Sequence, residues 1–515
     1  MTARRAIVVL LLLTVPLSAG AAGVPLADAV ARGDLAAVRT LLARGADVNA
    51  AQVDGTTALH VAVDADRLDM ADALLRAGAH ASSADRYGVT PIYLASVNGN
   101  ATMIRRLLDA GADPNSVDPA GETALMTAAR TGVPEALQLL LERGARVDAR
   151  DPEFQQTALM IAVRENHPAA VSVLITAGAA VNAQTRKGAV PAFVPPCKGT
   201  GCGSEGVGIN RGGLPDRGRR AEARGGMTPL LYAARDGRVE AARALLAAGA
   251  DIELADANGI RPLLTSVLNN HLDVARLLVE KGANVNADDF WGRSPLWAAV
   301  EYRNLDMNNR DQDSPKDNGV DRAPILEFIA FLIDHGANVN ARTREVPPSR
   351  RWLYSLGDVS WVDFTGQTPF LRAALSGDTT TMRLLLKHGA DPSLTTQAGT
   401  TPLMAAAGVN WVVAQTYTES PQASIDAVML CLEIGNDVNA TNSMGLTALL
   451  GAANRGSNDI IELLVKRGAR LDVKDKEGRT PIRWAEGVFL AAVGAEVKPA
   501  TIALLERLIA ESSSK

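Results

Sequence analysis

Residues 85–113 read DRYGVTPIYLASVNGNATMIRRLLDAGAD and contain one complete structural unit. After a short turn, Thr90-Pro91 offers an N-cap and a residue suited to the first helical position. Asn98-Gly99 interrupts the helical pattern, and Leu107-Leu108 belongs to a second helix. That helix should end at Gly111, because glycine readily adopts the left-handed conformation found at helix ends. The segment therefore predicts a turn followed by two short helices.

The Gly-Ala pair that closes this unit recurs along the chain, at first every 33 residues. Its glycines are Gly45, Gly78, Gly111, Gly144, Gly178, Gly249, Gly282, Gly336, Gly389 and Gly468. Gly435-Asn436 replaces the pair once, and longer intervals indicate insertions. We count about twelve units. Because one helix pair cannot bury its apolar side alone, neighbouring pairs must stack on each other.

These units resemble ankyrin repeats. Thr228-Pro229-Leu230 and Thr401-Pro402-Leu403 match the start of the family signature, and the Leu pairs and Gly-Ala pairs follow in phase. The resemblance implies an all-α solenoid with short β-turn fingers. It also implies partner binding through the turn tips and the concave face of the first helices. The signature histidine, which usually ties neighbouring turns, remains only at His60, so we expect apolar packing at that position elsewhere.

The repeats and their interruptions predict the domain organisation. We assign residues 1–21 to a signal peptide, 22–183 to repeats 1–5, and 184–225 to a Gly/Arg-rich insertion. Residues 226–341 form repeats 6–8 with an insertion at 303–324, and 342–362 form an aromatic-rich insertion. Residues 363–515 form repeats 9–12 with an insertion at 408–424 and a C-terminal cap.

The first residues have the layout of a secretory signal. Arg4 and Arg5 precede an apolar run from Ala6 to Leu13, and Ala19-Gly20-Ala21 offers small residues for cleavage. The run is shorter than the roughly 20 residues that a membrane-spanning helix needs. We therefore expect a bacterial protein exported to the periplasm or secreted, without stable membrane insertion.

The composition and motifs argue against several functions. A net charge of −5 provides no basic field for nucleic acid. The six histidines occupy repeat positions, which leaves none for a catalytic constellation. Gly201 to Gly206 spells G-x-G-x-x-G, but prolines and glycines surround it where a strand and a helix are required. We expect no catalytic residue, no cofactor and no metal.

The cysteines point to local structure. Cys197 and Cys202 share one loop without a nearby histidine, so an exported chain favours a disulfide between them over a metal site. Cys431 replaces the first leucine of a Leu pair and should be a buried, unreactive side chain.

The few aromatic residues suggest where a partner binds. Only 4% of the chain is aromatic, yet several of these residues fall in turns or in the 342–362 insertion and its flank. The candidate partner-binding residues are Tyr87, Phe154, Phe290, Trp291, Trp352, Tyr354, Trp361 and Phe364. Aromatic side chains contribute much of the energy at protein interfaces. The alternative is that the aromatics of the insertion pack it onto its own solenoid.

The sequence thus predicts a monomeric, non-catalytic scaffold that binds a protein partner of unknown identity. Two alternatives stay open. One is a secreted effector that acts on host proteins, and the other is an accessory protein or inhibitor of an exported enzyme.

Overall fold

A computed structural model describes residues 24–188, 224–305, 321–344, 365–410, 420–488 and 497–513. Within these residues the regular secondary structure is helical, and 24 helices form twelve consecutive pairs. This confirms the predicted all-α repeat fold and its count of about twelve units. The chain divides into two compact units, unit 1 up to Ala179 and unit 2 from Ala180.

Unit 1 contains repeats 1–5. Its helices are α1 Pro25–Arg32, α2 Leu35–Ala43, α3 Ala58–Asp64, α4 Leu68–Arg76, α5 Pro91–Asn98, α6 Ala101–Asp109, α7 Ala124–Thr131, α8 Pro134–Glu142, α9 Ala158–Arg164 and α10 Pro168–Thr176. Each odd-numbered helix is the first of its pair. It packs against its own second helix, and within the unit the first helices of successive repeats pack against each other.

Unit 2 contains repeats 6–12. Its helices are α11 Pro229–Asp236, α12 Val239–Ala247, α13 Pro262–Leu268, α14 Leu272–Glu280, α15 Pro295–Arg303, α16 Ala323–Asp334, α17 Pro369–Ser376, α18 Thr379–Lys387, α19 Pro402–Ala407, α20 Pro421–Glu433, α21 Ala448–Arg455, α22 Asn458–Lys466, α23 Pro481–Ala485 and α24 Pro499–Ser513. The first helices stack in sequence here too.

Threonine caps start most of the first helices. The Thr123 hydroxyl accepts a hydrogen bond from the Met126 N–H at 3.2 Å, and Thr228 and Thr401 form the equivalent bonds. Thr90 differs from this pattern. Its hydroxyl lies 3.2 Å from the Ser116 hydroxyl of the next repeat and makes no cap bond. One predicted cap therefore links two repeats instead.

The signature histidine forms the predicted link between turns. One ring nitrogen of His60 lies 2.8 Å from the Thr57 hydroxyl, and the other lies 3.1 Å from the Val89 carbonyl oxygen in the next repeat. At the equivalent position, Met126, Met160 and Leu231 are fully buried. The expected replacement of this histidine by apolar packing is confirmed at these positions.

A second set of links between repeats comes from asparagine side chains after the second helices. Asn115 donates to the Gly144 carbonyl oxygen at 3.0 Å and accepts from the Arg146 N–H at 2.9 Å. Asn49, Asn286, Asn340 and Asn439 form the same pair of bonds with the following repeat. This role was not predicted from the sequence, although the recurring Val-Asn-Ala could have indicated it.

Arginine side chains join the end of α15 to the residue just before α16. Arg303 donates to the Arg322 carbonyl oxygen at 2.5 Å, and Arg322 donates to the Arg303 carbonyl oxygen at 3.0 Å. Arg303 also pairs with Asp378 at 2.9 Å. Burial lowers the pKa of Arg372, which donates to Ser376 and to the Asn304 carbonyl oxygen. Arg303 and Arg322, which flank the insertion in repeat 8, therefore lie next to each other.

The second helices of repeats 8 and 10 begin at Ala323 and Pro421. Both starts lie inside the insertions predicted at 303–324 and 408–424. In each case a proline occupies the first helical turn, where its missing N–H costs nothing.

Gly451 tests the packing between repeats 10 and 11. A Cβ at this helical position would lie 2.8 Å from the Val409 backbone nitrogen. Alanine normally stabilises a helix by about 1 kcal/mol over glycine. Here we expect Gly451→Ala to destabilise the protein by about 1–3 kcal/mol through overpacking. Urea unfolding would measure the change, with Asn454→Ala on the same helix as the control. A more stable Gly451→Ala protein would contradict this account.

His60 should make stability depend on pH. Burial lowers its pKa from the ordinary 6.5, so the fold disfavours the protonated ring. Its stabilisation is then present above a pH of about 6.5 and is lost as the pH falls. His60→Leu should lower the unfolding midpoint near neutral pH, where it removes hydrogen bonds, and flatten the decline towards pH ~5. His80→Leu is the matched control, because this histidine is exposed.

Candidate protein-contact surface

Most turns before the first helices are fingers built around an aspartate, which Thr396 and Asn442 replace in repeats 10 and 11. In the turn of repeat 3, the Asp85 carboxylate accepts hydrogen bonds from the N–H groups of Tyr87 and Val89 at 2.8 and 2.9 Å. The Gly88 N–H closes the turn on the Asp85 carbonyl oxygen at 3.0 Å. Because the side chain of Asp85 satisfies the backbone, the Tyr87 ring remains outside and is 56% exposed.

Backbone hydrogen bonds join neighbouring fingers. In unit 1, the Arg86 N–H donates to the Asp54 carbonyl oxygen at 2.7 Å. In unit 2, the Phe290 N–H donates to the Asn258 carbonyl oxygen at 3.1 Å, and Lys476 makes the same bond to Met444. These bonds fix the spacing of the two fingers in each of these pairs. In repeats 4 and 5 the equivalent residues are Pro119 and Pro152, which have no N–H to donate.

The tip of repeat 3 combines a ring with a charge. Arg86 donates to the Tyr87 hydroxyl at 2.6 Å, and its guanidinium carbon lies 4.9 Å from the ring centroid. This contact restrains the Tyr87 ring. It therefore reduces the side-chain entropy that would be lost on binding a partner.

Phe154 occupies the corresponding tip of repeat 5 and is 52% exposed. The buried Asp151 carboxylate accepts hydrogen bonds from the Phe154 and Gln156 N–H groups, both at 2.6 Å. Gln155 has a positive φ of 60°, which turns the chain sharply behind the ring. The local backbone therefore holds Phe154 towards solvent.

Phe290 and Trp291 are adjacent but have different environments. Phe290 is exposed, whereas Trp291 is only 6% exposed. Trp291 packs over the Arg293 guanidinium at 5.0 Å, and Arg293 pairs with the buried Asp289 at 2.7 Å. Trp291 therefore covers this ion pair at the base of the finger. Its ring is too little exposed to belong to a contact surface.

The other candidate residues lie outside the described part of the chain. These are Trp352, Tyr354, Trp361 and Phe364 of the aromatic segment and the proposed disulfide pair Cys197 and Cys202. Cys431 is described and fully buried, and burial raises the pKa of its thiol to about 12. Its expected burial is confirmed.

Sequence reasoning missed several exposed aliphatic side chains of unit 1. Val53 on the finger of repeat 2 is 85% exposed, and Val97 on the first helix of repeat 3 is 48% exposed. Val117, in the turn of repeat 4, is also exposed. The sequence could not identify these valines as exposed, because a valine at the same positions could equally be a buried core residue.

The face of the first helices is open in repeats 2–4, where Asp64, Val97 and Arg130 are exposed. Arg130 pairs there with Glu122 at 2.5 Å. Beside it, burial and the Asp118 carboxylate raise the pKa of Tyr93 to about 12. In repeats 9 and 10 of unit 2, α17 and α19 are buried on every side.

Across the described ranges, no cluster of three His, Cys, Asp or Glu side chains is placed to hold a metal ion. No described helix combines the length and apolar character needed to cross a membrane.

The repeats and their fingers place this chain in a known family. The profile for "Ankyrin repeats (3 copies)" matches residues 26–118, 110–185, 214–289, 230–309 and 420–488, and the single "Ankyrin repeat" profile matches 365–397. These matches cover more than half of the sequence. The chain belongs to the ankyrin-repeat family, whose fold is an interaction module for proteins.

Individual relatives resemble parts of the chain. It is 32% identical over 154 residues to the palmitoyltransferase AKR1 of Lachancea kluyveri, covering 29% of this chain and 19% of that protein. It is 33% identical over 115 residues to cyclin-dependent kinase 4 inhibitor B of Rattus norvegicus, covering 22% of this chain and 78% of that protein.

Solved ankyrin domains also align. The human ASB11 ankyrin repeat domain is 25% identical with a TM-score of 0.39, and the alignment covers 50% of this chain and 98% of that one. The ankyrin repeat domain of Bcl-3 is 29% identical with the same TM-score, and the alignment covers 50% and 100%.

The chain spans less than a third of several curated relatives, including 19% of the palmitoyltransferase and 32% of the human ankyrin repeat domain-containing protein 63. The activity in the palmitoyltransferase's name belongs to that protein.

Proposed function

We propose that this chain is a non-catalytic scaffold that binds a protein partner through unit 1. The proposed contact surface consists of Val53, Tyr87, Val97 and Phe154, which we call the unit 1 contact surface. One observation carries the proposal. Of the seven large hydrophobic side chains that are exposed among the described residues, five lie in unit 1. This concentration of exposed apolar side chains in one unit is the support for placing the contact surface there.

The energetics favour this surface. Burying one such side chain against a partner contributes about 1.5–3 kcal/mol. Tyr87 and Phe154 are held by their finger turns, so they lose little conformational freedom on binding. Rigid aromatic anchors of this kind often dominate the free energy of protein association.

A second surface follows from the aromatic segment. We propose that Phe290, Trp352, Tyr354, Trp361 and Phe364 contact a partner at the fingers of repeats 8 and 9. Phe290 supports this because its ring is exposed at the finger tip.

We also propose that the chain is exported from a bacterial cell and works in the periplasm or outside it. The support is the basic and apolar layout of residues 4–21. An effector that acts on host proteins and an inhibitor of an exported enzyme are the alternatives for the same surface.

The unit 1 contact surface can be tested by substitution. In cells of the source organism, the double variant Tyr87→Ser/Phe154→Ser should lose at least about tenfold of the partner cross-linked to the wild-type chain. Cross-linking, purification and quantitative mass spectrometry would measure the yield. The melting temperature should stay unchanged, because both rings are exposed. Val497→Ser, an exposed apolar residue of unit 2, is the matched control. Equal losses in the control and the double variant would contradict the proposal.

Export can be tested on the same material by fractionation and intact mass. The mature chain should begin at Ala22. Alkylation without reduction should modify neither Cys197 nor Cys202, and the mass should rise by about 2 Da on reduction. A periplasmic location favours the scaffold, and appearance in the medium favours the effector. A full-length chain found only in the cytoplasm would contradict export.

A further inference from the structure

The chemistry of the partner can be narrowed from the first helices of unit 1, on the assumption that the proposed function holds. Val61 on α3 and Leu94 on α5 occupy equivalent positions 33 residues apart, as do Asp64 and Val97. Because α3 and α5 pack directly against each other, these four side chains are neighbours on one face.

Hydrogen bonds fix the two helices at this point. The Asn98 amide on α5 donates to the carbonyl oxygens of Val63 and Asp64 on α3, at 2.9 and 3.2 Å. Asn98 therefore holds the end of α5 against the end of α3. Val97, the residue before it, occupies the position on α5 equivalent to that of Asp64 on the adjacent α3, and both side chains are exposed.

Val61, Leu94 and Val97 form an apolar strip on the first helices of repeats 2 and 3, and this strip ends at repeat 4. The residues equivalent to Leu94 and Val97 are Thr127, which is buried, and Arg130, which is paired with Glu122 at 2.5 Å. An open apolar face is thus confined to repeats 2 and 3. Two neighbouring helices lie about 10 Å apart, which is enough to seat a short segment of a partner.

The acidic residue on this face, Asp64, has no ion-pair partner among the described residues. Asp64 is exposed, and its carboxylate forms no ion pair or hydrogen bond with any other described residue. On α1, the position equivalent to Val61 is a second acid, Asp28. Arg32 at the end of α1 is exposed and forms no ion pair with Asp64. Across residues 24–179, acidic residues outnumber arginines and lysine is absent.

We propose that repeats 2 and 3 bind a basic amphipathic segment of a partner protein. Its apolar side chains pack on Val61, Leu94 and Val97, and an adjacent lysine or arginine pairs with Asp64. A segment with acidic residues beside its apolar ones would place like charges together, which opposes binding.

Two synthetic peptides test this chemistry. Each has about 14 residues and the same leucine positions at helical spacing, but one has lysine and the other glutamate at the polar positions. Fluorescence anisotropy with the full chain measures their affinities. We expect the lysine peptide to bind at least about tenfold more tightly, and its affinity to fall as salt is raised. Val97→Ser should weaken it by about tenfold, and Asp64→Asn should reduce its salt dependence.

Matched substitutions separate this site from general attraction to an acidic protein. Val117→Ser removes an exposed valine from another turn of unit 1, and Glu142→Gln removes an exposed acid from α8. Both should leave the affinity unchanged. Equal binding of the two peptides, or equal losses in these controls, would overturn the proposal. If the peptide test fails while Tyr87→Ser/Phe154→Ser still loses the cross-linked partner, only the partner chemistry is wrong.

Discussion

Each helix pair has one apolar side that is buried only when a neighbouring pair packs against it. The first helices stack on one another within each unit, and the second helices close the layer behind them. Stability in such an array is approximately a sum of terms within repeats and between neighbours. The links across repeats, such as His60 to Val89 and Asn115 to Gly144, act at these junctions. This stacking determines where the exposed side chains of the described repeats lie.

Stacking also explains how a chain poor in aromatic residues can offer a binding surface. The finger backbones satisfy themselves through aspartate carboxylates and bonds to the next finger, as at Asp85 and Asp54. Their tips are then free to carry side chains unrelated to folding. Tyr87 and Phe154 are exposed side chains of this kind at the finger tips. Asp64 and Val97 are exposed side chains on the first helices. Protein recognition needs only such residues, held in fixed positions by a rigid array.

Much of the fold was predictable because it repeats. The 33-residue period, the Thr-Pro starts and the glycine ends predict twelve helix pairs, and burial of Cys431 follows from its place in a Leu pair. The site was less predictable. Tyr87 and Phe154 could be named from their turns and are exposed, but Val53 and Val97 could not be distinguished from core valines. The Asp289–Arg293 pair was also missed, because no sequence rule says which finger charges become buried.

The sequence by itself determined the repeat, the order of helices and the positions of the turns, because these depend on local caps, glycines and apolar periodicity. Only the tertiary structure decided which side chains face solvent. Phe290 and Trp291 share one turn, yet one is exposed and the other covers a buried ion pair. Val97 is exposed although Ile104 on the next helix is buried. Exposure depends on what the neighbouring repeat presents to a residue, and that information lies far away along the chain.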